Sequence, residues 1–351
     1  MKRISVVIPC YNVSACLGWC MDHLIKQTIG IENIEIILVN DASTDDGATW
    51  ELITRYESRY PESIIAISLE ENLRQGGARN VGISYAGGEY LLFCDADDWL
   101  RPEAMEILYN LIRENDADVV EFRNQDVFEY SDKEANMPIR LGNQSYCLTM
   151  TDEDRRKHII RSTDIYTLGC WNKLYRMSLI KEHNIRFAEH LIFEEPSFTL
   201  LVRLYERKHV FVDAVLHYCF QTPTGIMQSS WDGRKLDNAK VWNIVYEDLK
   251  ERGLIARYPA ELEYMFWSWG IGLTISMLLQ KRYVLQFEEL VFLKQMFLTS
   301  CPDIKHNPYL SKYEAEWNGL LLEMVNMEFI SDNIIRFNKS ALQYLADTEQ
   351  L

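Results

Sequence analysis

Apolar runs rich in β-branched residues alternate with helically spaced segments through the first hundred residues, and each run stops at a polar cluster. The runs fall at 4–8, 34–39, 64–69 and 90–94. Between them, 15–27, 48–60 and 78–86 read as helices, the first with Leu17, Met21, Leu24 and Ile25 at helical spacing. Strands separated by helices cannot pair as hairpins, so the pattern predicts an α/β fold, a mainly parallel sheet covered on both faces. Ligands of such sheets bind beyond the carboxyl ends of the strands. Here those ends read Pro9-Cys-Tyr-Asn12, Asn40-Asp-Ala-Ser-Thr-Asp-Asp-Gly47, Glu70-Glu-Asn72 and Asp95-Ala-Asp-Asp98. Polar residues gather where strands finish, which is the geometry of one shared site; four turns capped for separate local reasons are the plainer alternative.

The fourth end carries the most charge. Asp95, Asp97 and Asp98 follow a strand with no polar residue in it, and carboxylates crowded at the mouth of a buried sheet repel one another and lose hydration. They call for a compensating cation or for open water. A hard divalent metal holding a diphosphate meets the first need, and a solvated acidic turn capping the helix after Arg101-Pro102 meets the second.

With 351 residues and 48% hydrophobic composition, the chain can bury a large core and divide into two domains. Its formal net charge of -16 excludes a nonspecific nucleic-acid binder and a broad electrostatic grip on anionic lipid, so an anionic substrate needs a metal or a few placed arginines. Eight cysteines are dispersed without a paired framework, as in reduced, intracellular proteins. Cys16, Cys20 and His23 share a helical face but lack a fourth ligand, so a zinc site is not expected. The charged start Met1-Lys-Arg leads directly into a strand too short for a signal peptide. The apolar stretch 264–279 falls short of the roughly 20 residues that span a bilayer and reads as a buried helix, with a membrane-surface helix second.

Beyond residue 119 a strand gives way to a loop near 140, and the text stays mixed through 184–230. From about 231 it turns helical, with segments at 237–252, 260–280, 287–299 and 314–329. We therefore expect two regions, 1–230 and a helical 231–351.

Four ordered motifs, Ser5-Val-Val-Ile-Pro-Cys-Tyr-Asn12, Val39-Asn-Asp-Ala-Ser-Thr-Asp45, Gly76-Gly-Ala-Arg-Asn-Val-Gly82 and Phe93-Cys-Asp-Ala-Asp-Asp98, resemble the motif series of family 2 glycosyltransferases. The likeness extends over roughly the first 230 residues, through Trp171-Asn-Lys173 and Phe193-Glu-Glu195. It implies a GT-A fold, a nucleotide-sugar donor, a divalent manganese or magnesium ion at an Asp-X-Asp motif, and inversion at the anomeric carbon.

Donor-binding positions under this resemblance are Pro9, Tyr11, Asn12, Asp41, Ser43, Arg79, Asp95 and Ala96. Asp41 can accept a hydrogen bond from a uracil-like base that packs on Pro9 and Tyr11; alternatively it caps the helix beginning near Asp45, with Ser43 as partner. Arg79 can contact the diphosphate or stand exposed on its helix. Asp97 is the better direct metal ligand, with Asp95 reaching the ribose or a metal-bound water and Asp98 ligating or orienting. Glu195, ahead of Glu194, is the candidate base that removes the acceptor's hydroxyl proton. Two positions depart from the family pattern: Arg74 stands where glycine is usual, and Glu195 where aspartate is usual. His217 reads as a buried, hydrogen-bonded histidine rather than a metal ligand, Lys173 as support for the acceptor side or the sheet edge, and 228–230 as a segment closing over the diphosphate.

The expected partners are a nucleotide-sugar donor, with uridine preferred, and a saccharide or lipid-linked acceptor, with no nucleic acid. The expected location is the cytoplasm, at the inner face of the membrane in the peripheral variant. The aromatic tail with Trp267, Trp269, Phe287, Phe292, Phe297 and Trp317 reads first as helical core, then as a dimer or membrane-docking face. Two competitors remain: a catalytically idle binding module of a polysaccharide assembly complex, and a nucleotidyltransferase. The second lacks a glycine-rich, lysine-bearing loop after the first strand.

Overall fold

The computed structural model describes residues 2–131, 138–139, 142–160, 167–221, 234–280, 283, 285–312, 315–328 and 331–348. They form two compact units: 2–155, 167–190 and 198–221 in one, 156–160, 191–197 and the residues from 234 onward in the other. The boundary expected at 230 lies in 222–233, outside the described residues, as does the expected closing segment 228–230.

The first unit holds a nine-stranded sheet. Its strands are β1 (Ile4–Cys10), β2 (Ile34–Asn40), β3 (Ile64–Ser68), β4 (Tyr90–Phe93), β5 (Trp99–Leu100), β6 (Val119–Val127), β7 (Tyr146–Thr149), β8 (Lys173–Arg176) and β9 (Lys208–Phe220). The spatial order is β3-β2-β1-β4-β8-β6-β9-β5, with β7 on β9. The first four strands are parallel throughout, as the alternation predicts. β8 then enters antiparallel between β4 and β6, while β6 and β9 run parallel across a bulge at Phe122 to Asn124. Helices α1 (Leu17–Ile25), α2 (Ala48–Arg59), α3 (Arg74–Tyr85), α4 (Ala104–Glu114), α5 (Asp152–Ile160), α6 (Met177–Glu182) and α7 (Glu195–Tyr205) intervene, and α5 and α7 contribute residues to both units.

Local chemistry explains the helix starts. Asp45 caps α2: its carboxylate accepts the Thr49 N–H at 3.1 Å and the Thr49 hydroxyl at 2.6 Å. α3 begins four residues earlier than periodicity predicts, because Gly76 and Gly77 read as a loop while a carboxylate from another strand end anchors the added turn. One glycine of this helix is required by packing. A Cβ at Gly82 would collide with Val7 of β1, so glycine there lets α3 lie against the sheet. Both faces of β1 and nearly all of β2 are buried, as a covered parallel sheet demands.

The second unit is helical: α8 (Asp237–Glu251), α9 (Pro259–Met265), α10 (Leu273–Gln280), α11 (Phe287–Ser300), α12 (Ala315–Asn326) and α13 (Ser331–Asp347). The predicted helix 260–280 is interrupted by a π-helical segment, Phe266–Gly272. Tyr264, Phe266, Trp267, Ile271, Ile275 and Leu279 are buried, and the Trp267 indole donates to Asn318 Oδ1 at 2.7 Å. This is the buried helix expected from sequence; no helix of the described residues is long and apolar enough to cross a membrane. Of the aromatic residues singled out above, Trp267, Phe297 and Trp317 are buried, whereas Phe287 is 50% exposed.

Candidate functional site

The carboxyl ends of β1, β2 and β4 lie side by side in the first unit; hydrogen bonds tie the β1 and β2 loops together, and α3 bonds both the β2 end and the acidic turn after β4. Asn12, left-handed at φ +54°, donates its backbone N–H to Ser43 Oγ at 3.0 Å, and its side-chain carbonyl accepts the Thr44 N–H at 2.7 Å. Asn12 and Ser43 thus join the β1 and β2 ends. Asp41 is buried, and its Oδ1 accepts the Leu73 N–H at 2.7 Å, just before α3. It therefore caps α3 rather than α2, and Ser43 is not its partner. Burial raises the Asp41 carboxyl above its usual range, and the Leu73 N–H pulls it partly back. Pro9 lies buried within β1, paired with Val39, while Tyr11 is 44% exposed. Of the expected base-packing wall, Tyr11 is the open part.

The acidic turn follows β4, closed by the Asp98 N–H donating to the Asp95 carbonyl at 3.1 Å; Ala96 is buried inside it. The three aspartates have different surroundings. Asp95 Oδ1 accepts from Arg79 Nη2 at 2.8 Å. Arg79 is wholly buried in α3 with its guanidinium over the Phe187 ring, so both expectations for it are revised: it is neither exposed nor open to a diphosphate, and it reaches the site through Asp95. Asp98 is buried, with Oδ1 accepting the Phe220 N–H at 2.8 Å and Oδ2 lying 3.3 Å from His217 Nε2, off the direction of a good hydrogen bond. Asp97 has no cationic side chain within ion-pair distance among the described residues. Burial, then repulsion from Asp98 and Asp95, pushes its carboxyl up to about 7.

His217 is fully buried, as expected, with Nδ1 3.4 Å from Cys219 Sγ. Burial opposes its protonation, but the Asp98 carboxylate and Cys94 outweigh burial and raise it to about 10. Asp98, His217 and Cys219 together satisfy the spacing of a metal-ligand group. Yet Asp98 and Cys219 approach opposite nitrogens of one ring, so a single ion cannot take all three as they stand. The helix-face trio Cys16, Cys20 and His23 forms no such group among the described residues; His23 Nδ1 lies 2.9 Å from the Trp19 carbonyl.

Glu194 and Glu195 belong to the second unit by contact. They follow Phe193, left-handed at φ +64°. Glu194 is buried and its carbonyl accepts the Ser197 N–H at 3.0 Å; Glu195, half-buried, is the first residue of α7. Arg74, in the position where glycine is usual, adopts φ +64°, which accounts for that preference.

Sequence reasoning missed a second charged cluster in the same sheet. Glu121 of β6, Lys173 of β8 and His209 of β9 are all buried, with Glu121 Oε1 3.3 Å from Lys173 Nζ and Oε2 3.5 Å from His209 Nε2. Glu206 meets His209 Nδ1 at 2.9 Å. Lys173 is therefore neither at an edge nor open to an acceptor. The available signal was an ionisable residue set against apolar neighbours in each of three strands: Glu121 after Val119-Val120, Lys173 before Leu174, and His209 before Val210-Phe211-Val212.

The sequence profile described as Glycosyl transferase family 2 matches residues 5–183, just over half of the chain. The chain is 33% identical over 213 residues to the Bacillus spizizenii protein named poly(ribitol-phosphate) beta-glucosyltransferase, covering 59% of this chain and 30% of that one. It is 37% identical over 151 residues to Streptococcus pneumoniae glycosyltransferase GlyG, covering 42% and 46%. The matches thus span 30% and 46% of these relatives' length. Among solved structures, S. aureus TarS residues 1–349 in complex with UDP-GlcNAc superposes with a TM-score of 0.71 over 99% of this chain and 92% of that one, at 22% identity. At that identity the likeness establishes the fold, which is GT-A. Strand order, polar strand ends and profile agree: the chain belongs to glycosyl transferase family 2.

Proposed function

We propose that the chain transfers a sugar from a uridine diphosphate-sugar to a saccharide-type acceptor, with inversion and with a divalent manganese or magnesium ion at the acidic turn. The observation that carries the reading is the uneven treatment of three aspartates. The protein places a cation against Asp95 and another against Asp98, and among the described residues leaves Asp97 with none. A half-buried carboxylate without a partner is costly, and a site that keeps one is suited to a cation from outside. The residues fit a hard divalent ion: Asp97 and the free oxygen of Asp95 would hold it, and Asp98 would orient the turn. When bound, such an ion supplies charge neutralisation to a departing diphosphate.

The remaining roles are assigned to the chain's own groups. Asp41, held by the Leu73 N–H, is assigned to accept a base N–H on its motif, and Tyr11 offers the exposed ring on which a base can stack. Arg79 holds Asp95 in position from below. Glu195 is proposed as the base on its motif alone, accepting the proton of the attacking hydroxyl. Uridine as the base is supported by the UDP-GlcNAc in the TarS structure. A surface-polymer acceptor is supported by the names of relatives such as the poly(ribitol-phosphate) beta-glucosyltransferase and the minor teichoic acid biosynthesis protein GgaB of Bacillus subtilis. We assign the protein to the cytoplasm, at the inner membrane face, with residues 1–230 as catalytic domain and 231–351 as a helical domain for homodimer or membrane contact.

A donor screen following nucleoside diphosphate release, with and without manganese or magnesium, tests the reading. Metal-dependent release with at least one UDP-sugar, lost in Asp97→Ala, is expected. If no nucleotide sugar bound or turned over and Asp97→Ala behaved like the parent, the proposal would fail in favour of an idle module. Glu195→Gln should bind donor but not transfer; loss of donor binding would remove that residue from the role of base.

A further inference from the structure

We propose that His217 is a positioning residue for the acidic turn: it takes Asp98 out of the set of groups able to face a bound cation and leaves that task to Asp95 and Asp97. The inference rests on the metal-diphosphate reading above, and concerns which aspartate does what and why.

The geometry is that of a rod held at both ends. His217 sits on β9, opposite Leu100 of β5 in the antiparallel register, and Trp99, directly after Asp98, lies opposite Tyr218. The short β5 strand therefore ties the exit of the acidic turn to β9 by backbone pairing. Side chains repeat the connection. Asp98 directs both oxygens at β9, one to the Phe220 N–H at 2.8 Å and one to His217 Nε2 at 3.3 Å. On the other side of the ring, Nδ1 meets Cys219 Sγ at 3.4 Å, and Asn124 Nδ2 donates to that sulfur at 3.6 Å. Trp171 stacks on the imidazole, centroids 5.1 Å apart at 29°, so the ring has little freedom to turn.

Groups on both ring nitrogens and an indole on its face fix the histidine, and the fixed histidine fixes Asp98. Partners that hold ligand carboxylates set ligand orientation, and their removal typically weakens metal binding about tenfold to a hundredfold; Asp98 is no ligand here, but its N–H closes the turn that carries Asp95 and Asp97, so loosening Asp98 displaces both. His217 lies 119 residues from Asp98 in the chain, so the pairing exists only in the folded sheet.

The test is calorimetric titration of the full chain with manganese alone and with UDP, alongside thermal melting. His217→Phe removes the ring nitrogens and should weaken manganese binding about tenfold or more while UDP without metal binds as before. Glutamine can present a nitrogen near the Nε2 position and asparagine near Nδ1, so His217→Gln should retain more metal affinity than His217→Asn. Asp98→Asn keeps the acceptor for Phe220 N–H and should reproduce the His217→Phe loss, with the double variant no weaker than either single. The inference is overturned if folded His217→Phe binds manganese within about twofold of the parent, or if the Asp98→Asn and His217→Phe losses add. Should His217→Phe not fold, equal manganese affinity for His217→Gln and His217→Asn overturns it. A parent that binds neither manganese nor UDP overturns the functional reading itself, whereas a parent that binds both, with unaffected variants, overturns only this inference.

Discussion

Two charged clusters, one buried and one partly buried, occupy the same sheet and are compensated to different degrees. At the start of β9, Glu121, Lys173, His209 and Glu206 face one another, and Lys173 donates further to Thr167 Oγ1, the Gly169 carbonyl and Asn172 Oδ1 at 2.7–2.9 Å. At its far end, the acidic turn has Arg79 for Asp95 and His217 for Asp98, and Asp97 is left over. Physical chemistry treats the two alike: a buried charge needs a partner. The first cluster is compensated within the protein, with Arg203 a further buried cation acting on Lys173, and it spans the three adjacent strands β8, β6 and β9. The second stays open by one charge. On the proposed function, the open cluster at the strand ends is the one that takes a ligand, and the closed one serves structure.

The sharpest way to break this comparison is to remove one carboxylate from each cluster. Glu121→Gln leaves Lys173 and His209 facing a neutral group and should cost about 3–5 kcal/mol of stability, read by denaturant unfolding. Asp97→Asn should do the opposite: metal-dependent transfer falls about a thousandfold, roughly 4 kcal/mol of transition-state stabilisation, while the melting temperature holds or rises. If both variants destabilised equally, the distinction between closed and open clusters would be lost.

Acidity separates the clusters next. Burial lowers the His209 pKa, but Glu206 and Glu121 outweigh it and hold it at about 9, above the usual 6.5. A raised folded-state value means that its stabilisation is complete below about pH 6.5 and disappears as pH climbs through 9. Glu121 runs the other way: Lys173 and His209 overcome its burial and lower it to about 2, so its contribution is present above about pH 4.5 and lost as pH falls through 2. The stability gap between parent and His209→Gln should therefore shrink by up to a few kcal/mol between pH 6.5 and 9, measured by urea unfolding at each pH.

Smaller effects probe the rim of the open site. Tyr11→Ala should weaken UDP binding by about 1–2 kcal/mol through lost stacking, with turnover at saturation little changed. Arg74→Gly relieves a left-handed arginine and should raise stability by less than about 1 kcal/mol, because glycine's greater unfolded-state freedom offsets part of the gain. An unchanged or lowered melting temperature would mean that the arginine side chain contributes more than its backbone strain costs.

Much of the fold could be read from local pattern. Runs of Ile and Val at 4–8 and 34–39 ended in β1 and β2 as expected, since a strand buried on both faces leaves no other reading. α3 was placed late and α13 was not anticipated, the first because Gly76 and Gly77 mask a helix capped by Asp41, a residue more than thirty positions away. The strand-end position of the acidic turn, Asp41, Tyr11, Asn12 and Ser43 was legible, because charge crowding and strand-end position are properties of short segments. Arg79 was misread: nothing in Gly76-Gly-Ala-Arg-Asn tells a buried arginine from an exposed one.

By itself, the sequence determined that a parallel α/β sheet would end in a cluster of three carboxylates, and that these would need positive charge or open water. That follows from residue type and periodicity, which act over a few positions. Only tertiary structure decided which carboxylate goes without a partner. The answer depends on Arg79 reaching Asp95 from α3 and on His217 arriving from a strand that pairs with β5 across more than a hundred residues. Electrostatic compensation is a matter of distance and burial in space, and the chain specifies both only once the sheet has closed around them.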